Sequence, residues 1–171
     1  NNLINILKNN GIDGTIAVQV DQTEDETAYL LKLANEHSFI KGVVGWVDFQ
    51  DENIDQRLEY FSNFPKLKGF RHIVQAESDP NFLLRPLFLE GISKLEKYNF
   101  TYDILIYENQ LNNAINFVRQ FPNQKFILDH IGKPKIGKGL LKPWSSNIIE
   151  LGKYKNVYCK LSGLVTENDW N

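Results

Sequence analysis

The residues best suited to chemistry stand where apolar runs stop. Phe126-Ile127-Leu128 breaks off into Asp129-His130, and Ile131-Gly132-Lys133-Pro134 follows as a turn. In a parallel α/β protein the carboxyl ends of strands present side chains to a ligand. A histidine there can titrate near neutral pH, bind a metal or polarise a carbonyl. Similar endings recur at Gln19 and Asp21, Trp46 and Asp48, Arg71 and His72, Asp103 and Tyr107, and Lys160 and Ser162. A hydrolase needs a group that polarises a carbonyl, a base for water, and cations that hold an anionic substrate. His130, Arg71 and Lys160 supply the cationic or hydrogen-bonding side of that list, and Asp103 supplies a carboxylate.

Each of these residues also has a plainer reading. His130 could be satisfied by a neighbouring backbone group, but its place at a strand end favours function. Side chains alternate faces along a strand, so Asp129 and His130 are not expected to point into one cavity together. Asp129 is therefore read as facing outward, orienting a neighbour. Arg71 could pair with a surface carboxylate for little gain, whereas a strand-end arginine enclosed by loops suits bidentate grip on a substrate carboxylate. His72 and Trp46 are candidate substrate contacts, and Trp46 could equally be core packing. Asp103, inside an apolar strand, must be paired or face a cavity, because a lone buried charge is costly. The same holds for Lys160. His37 reads as a helix-surface residue and Cys159 as a small core filler. Ser162 lacks the Gly-x-Ser-x-Gly elbow of a serine nucleophile.

These residues need a scaffold that aims them together. Six segments, 15–20, 42–48, 67–74, 101–107, 125–130 and 157–162, read as buried strands rich in β-branched and aromatic residues. Helical spacing runs between them. Thr23 and Glu26 form a capping box before Leu30, Leu33, Ala34 and His37; Ile54, Leu58 and Phe61 follow. Next come Leu84, Phe88, Ile92 and Leu95, then Leu111, Ile115, Val118 and Phe121 ahead of Pro122, and Ile148, Ile149 and Leu151 after Pro143. An opening helix carries Leu3, Ile6 and Leu7 and stops at Gly11. Strand and helix alternate as in βα units around a parallel sheet. Periodicity alone does not separate a (β/α)8 barrel from a doubly wound sheet. No Gly-rich phosphate loop follows the first strand, and polar groups end nearly every strand, which favours the barrel.

The 171 residues suffice for one domain, spanning 1–171, with a sizeable core. A formal net charge of -2 gives no footprint for nucleic acid. No apolar run is long enough to span a bilayer. The single Cys159 excludes an internal disulfide and fits a reducing, cytoplasmic setting. Asn1 opens the chain on the back half of a helix, and Thr166-Glu167-Asn168-Asp169-Trp170-Asn171 closes it without completing an element, so the chain reads as part of a larger barrel.

Gly69-Phe70-Arg71, the Leu84-Arg85-Pro86-Leu87-Phe88-Leu89-Glu90-Gly91 core, Tyr102-Asp103, Leu128-Asp129-His130-Ile131-Gly132-Lys133-Pro134 and Cys159-Lys160-Leu161-Ser162-Gly163-Leu164 with Thr166-Glu167 resemble the amidohydrolase-related family, over about Gly14 to Trp170. The branch is similar to the sugar lactonases and the dicarboxylate lactonases beside them. The resemblance implies a parallel α/β, TIM-like (β/α)8 barrel, incomplete here, with the visible strands as two to seven of eight. It implies hydrolysis of a lactone, a small-molecule carboxylic ester, with His130 matching the histidine after strand six, Arg71 an arginine after strand four and Lys160 the strand-seven block. In that family a first-strand His-x-His pair and an eighth-strand aspartate complete the site, and the histidines bind a divalent metal such as zinc or the substrate itself. This sequence has only His37, His72 and His130, no His-x-His and no eighth-strand aspartate. It follows that His130 is the one expected metal ligand, and that the 171 residues alone are expected to be inactive. A superfamily decarboxylase of an aromatic or enoic acid, and a non-catalytic doubly wound binding domain, are the alternatives. The substrate, metal dependence and oligomeric state are not encoded in a way the sequence reveals.

Overall fold

The computed structural model describes residues 2–139 and 141–168, so the expectations that touch Asn1 and Asp169-Trp170-Asn171 lie outside the described residues. Six parallel strands pair strictly in chain order: β1 (Thr15–Val18), β2 (Ile40–Gly45), β3 (Leu67–His72), β4 (Thr101–Ile104), β5 (Phe126–Leu128) and β6 (Val157–Cys159). Between and before them lie α1 (Asn2–Asn9), α2 (Glu24–Glu36), α3 (Ile54–Ser62), α4 (Pro86–Ser93), α5 (Leu111–Arg119) and α6 (Trp144–Leu151). An unreversed order 1-2-3-4-5-6 excludes the doubly wound alternative, whose sheet reverses direction at a switch point. Side chains from β1 and from just past β6 line one hollow, so the sheet curls as part of a barrel wall. Among the described residues no helix is long and apolar enough to cross a membrane.

The core lies on the outer, helix-covered side of the sheet. Phe70 of β3, Tyr102 of β4 and Phe126 of β5 interlock edge-to-face with Phe49, Phe88 and Phe117; Phe117 and Phe126, for example, have centroids 5.1 Å apart. Such geometry suits the ring quadrupoles and adds to area burial. Helices α3 and α5 bury the predicted stripes, Ile54, Leu58 and Phe61 on one and Leu111, Ile115 and Val118 on the other. The α2 stripe is Thr27, Leu31 and Ala34 rather than the one centred on Leu30 and Leu33, and His37 lies just past the helix end. Thr23 does cap α2, accepting from Glu26 N at 3.2 Å, but the Glu26 carboxylate reaches back to the amides of Val20 and Asp21, tying the helix start to the end of β1. On α6, Leu151 is buried and Ile149 is 70% exposed.

The strands stop two to three residues earlier than their apolar runs. The residues beyond them, released from the ladder, form the rim on which the candidate site is built. This matters most at β5, which ends at Leu128.

Candidate active site

Strand register sets the site. Arg71 on β3 stands beside Asp103 on β4, and Asp103 beside Ile127 on β5. Neighbours in a sheet point to the same face, and side chains two apart share it. Arg71, Asp103, Ile127 and Asp129 thus face the concave side, while Phe70, His72, Tyr102, Ile104, Phe126 and Leu128 face the helices. The hollow has a volume of about 510 Å³; Ile16, Val18, Val44 and Ile127 form apolar parts of its wall, Lys68 and Thr101 also line it, and Arg71, Asp103, Asp129, His130 and Lys160 are five more charged or titratable members.

Four of those five make one continuous ionic chain. Arg71 Nη1 donates to Asp129 Oδ2 at 2.9 Å. Lys160 Nζ lies 2.6 Å from Asp129 Oδ1, an ion pair without the alignment of a hydrogen bond, and donates to Asp103 Oδ2 at 2.5 Å. Arg71 Nε reaches Gln19 Oε1 at 3.1 Å, and its Nη2 donates to the side-chain and main-chain oxygens of Gln19. Both carboxylates are fully buried. Two cations between two carboxylates keep any one buried charge from standing alone, which would be far more costly than the paired state. Burial, opposed by Lys160, still pushes the Asp103 carboxyl up to about 6. For Lys160, burial alone would lower the ammonium pKa, but Asp103 and Asp129 outweigh it and raise it, so the ammonium stays charged.

This arrangement corrects two expectations. Asp129 does not face outward. Parity along β5 puts it inside with Ile127, and it is His130 that reaches the cavity by leaving the strand: His130 and Ile131 adopt left-handed backbone (φ 54 and 55). Such a conformation is uncommon for any non-glycine residue and a true outlier for a β-branched one, so surrounding contacts must hold it. Arg71, expected to grip a substrate carboxylate, has all three guanidinium nitrogens engaged by Asp129 and Gln19; the geometry makes it the holder of Asp129.

His130 keeps one edge free. Its Nδ1 lies 3.0 Å from Ser162 Oγ, and Nε2 has no partner among the described residues. Burial lowers its pKa, Asp129 opposes, and Lys133, Lys160 and Arg71 add to the lowering, which favours the neutral ring near pH 7.

His72 and Trp46, expected as substrate contacts, lie outside the hollow. Trp46 Nε1 donates to His72 Nδ1 at 3.2 Å, so Nε2 carries the proton and donates to Glu77 Oε1 at 2.7 Å. The ring stacks on Phe82 at 4.4 Å, and burial lowers its pKa against the pull of Glu77. Trp46 is itself anchored to α2, its main-chain N–H donating to Thr27 Oγ1 at 2.8 Å.

The residues present do not assemble a metal site. Among the described residues no three His, Cys, Asp or Glu side chains gather as a ligand set, and Asp103 and Asp129 are committed to cations. The expected role of His130 as a metal ligand therefore finds no companions among the described residues.

An L-fucono-1,5-lactonase of Burkholderia ambifaria is 32% identical over 162 residues, covering 95% of this chain and 56% of that protein. One from Burkholderia multivorans is 37% identical over 165 residues, covering 93% and 55%. The chain therefore spans about half the length of these relatives. A crystal structure of a Burkholderia multivorans amidohydrolase, described with bound zinc, superposes with a TM-score of 0.93 at 36% identity, over 99% of this chain and 60% of its own. The amidohydrolase family model matches residues 7–171, and on that match the chain belongs to the amidohydrolase family.

Proposed function

We propose that the complete protein hydrolyses the lactone of a sugar acid or dicarboxylic acid, with His130 and Lys160 at the reacting carbonyl. The observation that carries this reading is the convergence of His130, Lys160, Asp103, Asp129 and Arg71, from four strand ends, on one hollow. Its support from relatives is the likeness to two proteins named as L-fucono-1,5-lactonases.

In this reading the free Nε2 edge of His130 contacts the ring ester, and the Lys160 ammonium stabilises negative charge developing on the carbonyl oxygen. Preorganised cations and donors aimed at developing charge are the largest electrostatic aid to acyl transfer. Water adds its oxygen to the carbonyl carbon, the bond to the ring oxygen breaks, and that oxygen leaves as a hydroxyl after taking up a proton. Asp103 and Asp129 hold Lys160 and Arg71 in place, so the base that activates water is assigned to a carboxylate beyond the 171 residues. The chain alone is accordingly proposed to be inactive.

The test is a substrate screen on the complete protein, sugar-acid lactones against aromatic carboxylic acids, with wild type and His130→Ala. Lactone turnover that falls about 10²–10⁴-fold in the variant, with the circular dichroism spectrum unchanged, is the expected result. An unchanged rate removes His130 from the mechanism, and decarboxylation of the aromatic acids without lactone turnover replaces the reading with the decarboxylase one.

A further inference from the structure

The two segments after β5 and after β6 dock on each other at the mouth of the hollow. The main-chain N–H of Lys160 donates to the Leu128 carbonyl at 3.0 Å, and its ammonium pairs with Asp129. Two residues further on, Ser162 Oγ meets His130 Nδ1. Gly163 comes next, with φ +72, and its bare Cα faces the imidazole: a Cβ there would sit 2.8 Å from Cγ and Nδ1 of His130. That is closer than real Cβ atoms come to any neighbour, and the left-handed backbone is one that only glycine adopts without strain. On its other side the His130 turn is pinned by Trp144, whose indole Nε1 donates to the Ile131 carbonyl at 2.8 Å.

The geometry points to Ser162 and Gly163 as positioning residues that seat the His130 ring and turn its Nε2 edge to the substrate. Ser162 engages Nδ1, which leaves Nε2 as the edge presented to the cavity whichever nitrogen carries the proton. Gly163 provides the space the ring occupies. A hydroxyl that fixes ring orientation explains a serine here without any nucleophilic role. The inference rests on the lactonase reading for its effect on rate, but not for the seating of the ring.

The experiment uses the complete protein with Ser162→Ala, Ser162→Thr and Gly163→Ala, measuring kcat and KM on a sugar-acid lactone and the ¹⁵N signals of the His130 ring, assigned by their loss in His130→Gln. Removing a partner that orients a functional histidine costs about 10–100-fold. Ser162→Ala is expected to lower kcat by that factor at nearly constant KM and to move the Nδ1 signal. Ser162→Thr, which keeps the hydroxyl at an exposed position, restores both. Gly163→Ala is expected to lower kcat at least as far. An Nδ1 signal unmoved by Ser162→Ala overturns the inference, as does a kcat loss that Ser162→Thr fails to restore. A wild type that turns over no lactone, while its Nδ1 signal still moves in Ser162→Ala and returns in Ser162→Thr, refutes the lactonase reading and supports the seat.

Discussion

His72 closes β3 and His130 follows β5, and their surroundings differ in almost every respect. His72 is 8% exposed, stacked on Phe82, with both ring nitrogens taken, by Trp46 and Glu77. His130 is half-buried, has one nitrogen on Ser162 and holds the other free. Burial lowers the pKa of both, so charge does not separate them. Valence does: His72 has both nitrogens satisfied inside the wall, and His130 holds one edge free in the hollow. The comparison also shows that a strand end is not a direction. His72 continues the alternation of β3 and so faces the helices, while His130 breaks the alternation of β5 with a left-handed turn and so faces the cavity.

The contrast can be broken most sharply by truncating each ring. His130→Ala should cost the complete protein about 10²–10⁴-fold in kcat/KM with little change in stability. His72→Ala should leave kcat/KM within a few-fold but lower unfolding free energy by about 1–3 kcal/mol, because Trp46 N–H and Glu77 lose their buried partner. Urea titration beside the kinetic assay reads both, and a reversed pattern would invert the two roles. The ionic chain sharpens the comparison from the cavity side. Asp129→Asn leaves Arg71 and Lys160 without half of their counter-charge, and breaking a buried pair costs about 3–5 kcal/mol, so that variant is expected to be the least stable in the same titration.

A further effect is one of pH. Asp103 is raised from 3.8 to about 6 by burial, against the pull of Lys160. The folded protein therefore holds this proton more tightly than the unfolded chain does. The contribution of the carboxyl to stability is full below pH 3.8 and is lost as pH rises through about 6. Between pH 4 and 7 the stability of wild type relative to Asp103→Asn should fall by about 1–3 kcal/mol, measured as the difference between paired urea curves. A constant difference across that range would show that Asp103 titrates normally.

Much of this was legible in the residues. Alternating strand-like and helix-period segments placed all six strands, and the strand-end polar groups named Arg71, Asp103, Asp129, His130 and Lys160 but not Lys68, which also lines the cavity. The facing of those groups was harder to read. On β5 the run Phe126-Ile127-Leu128 is apolar on both faces, so no polar alternation marks which side Asp129 continues, and the turn that redirects His130 depends on backbone angles that no residue type there announces. On β3 the signal was present: Gly69 and Arg71 share one parity, Phe70 and His72 the other, and the apolar Phe70 marks the helix side. The engagement of Arg71 by Gln19, 52 positions away, follows only from the curl of the sheet. Gly163 carried a cue of its own, a glycine directly after Ser162, but its purpose is visible only with the imidazole across from it.

The turn that carries His130 also depends on a residue outside the cavity. Ile131 stays left-handed with its carbonyl held by the indole of Trp144, at the start of α6. Transplanting the Asp129-His130 turn onto another strand would therefore move the letters without the shape. Whoever redesigns this site must carry α6 along as scaffolding, or evolve a substitute brace, before the imidazole will look the right way.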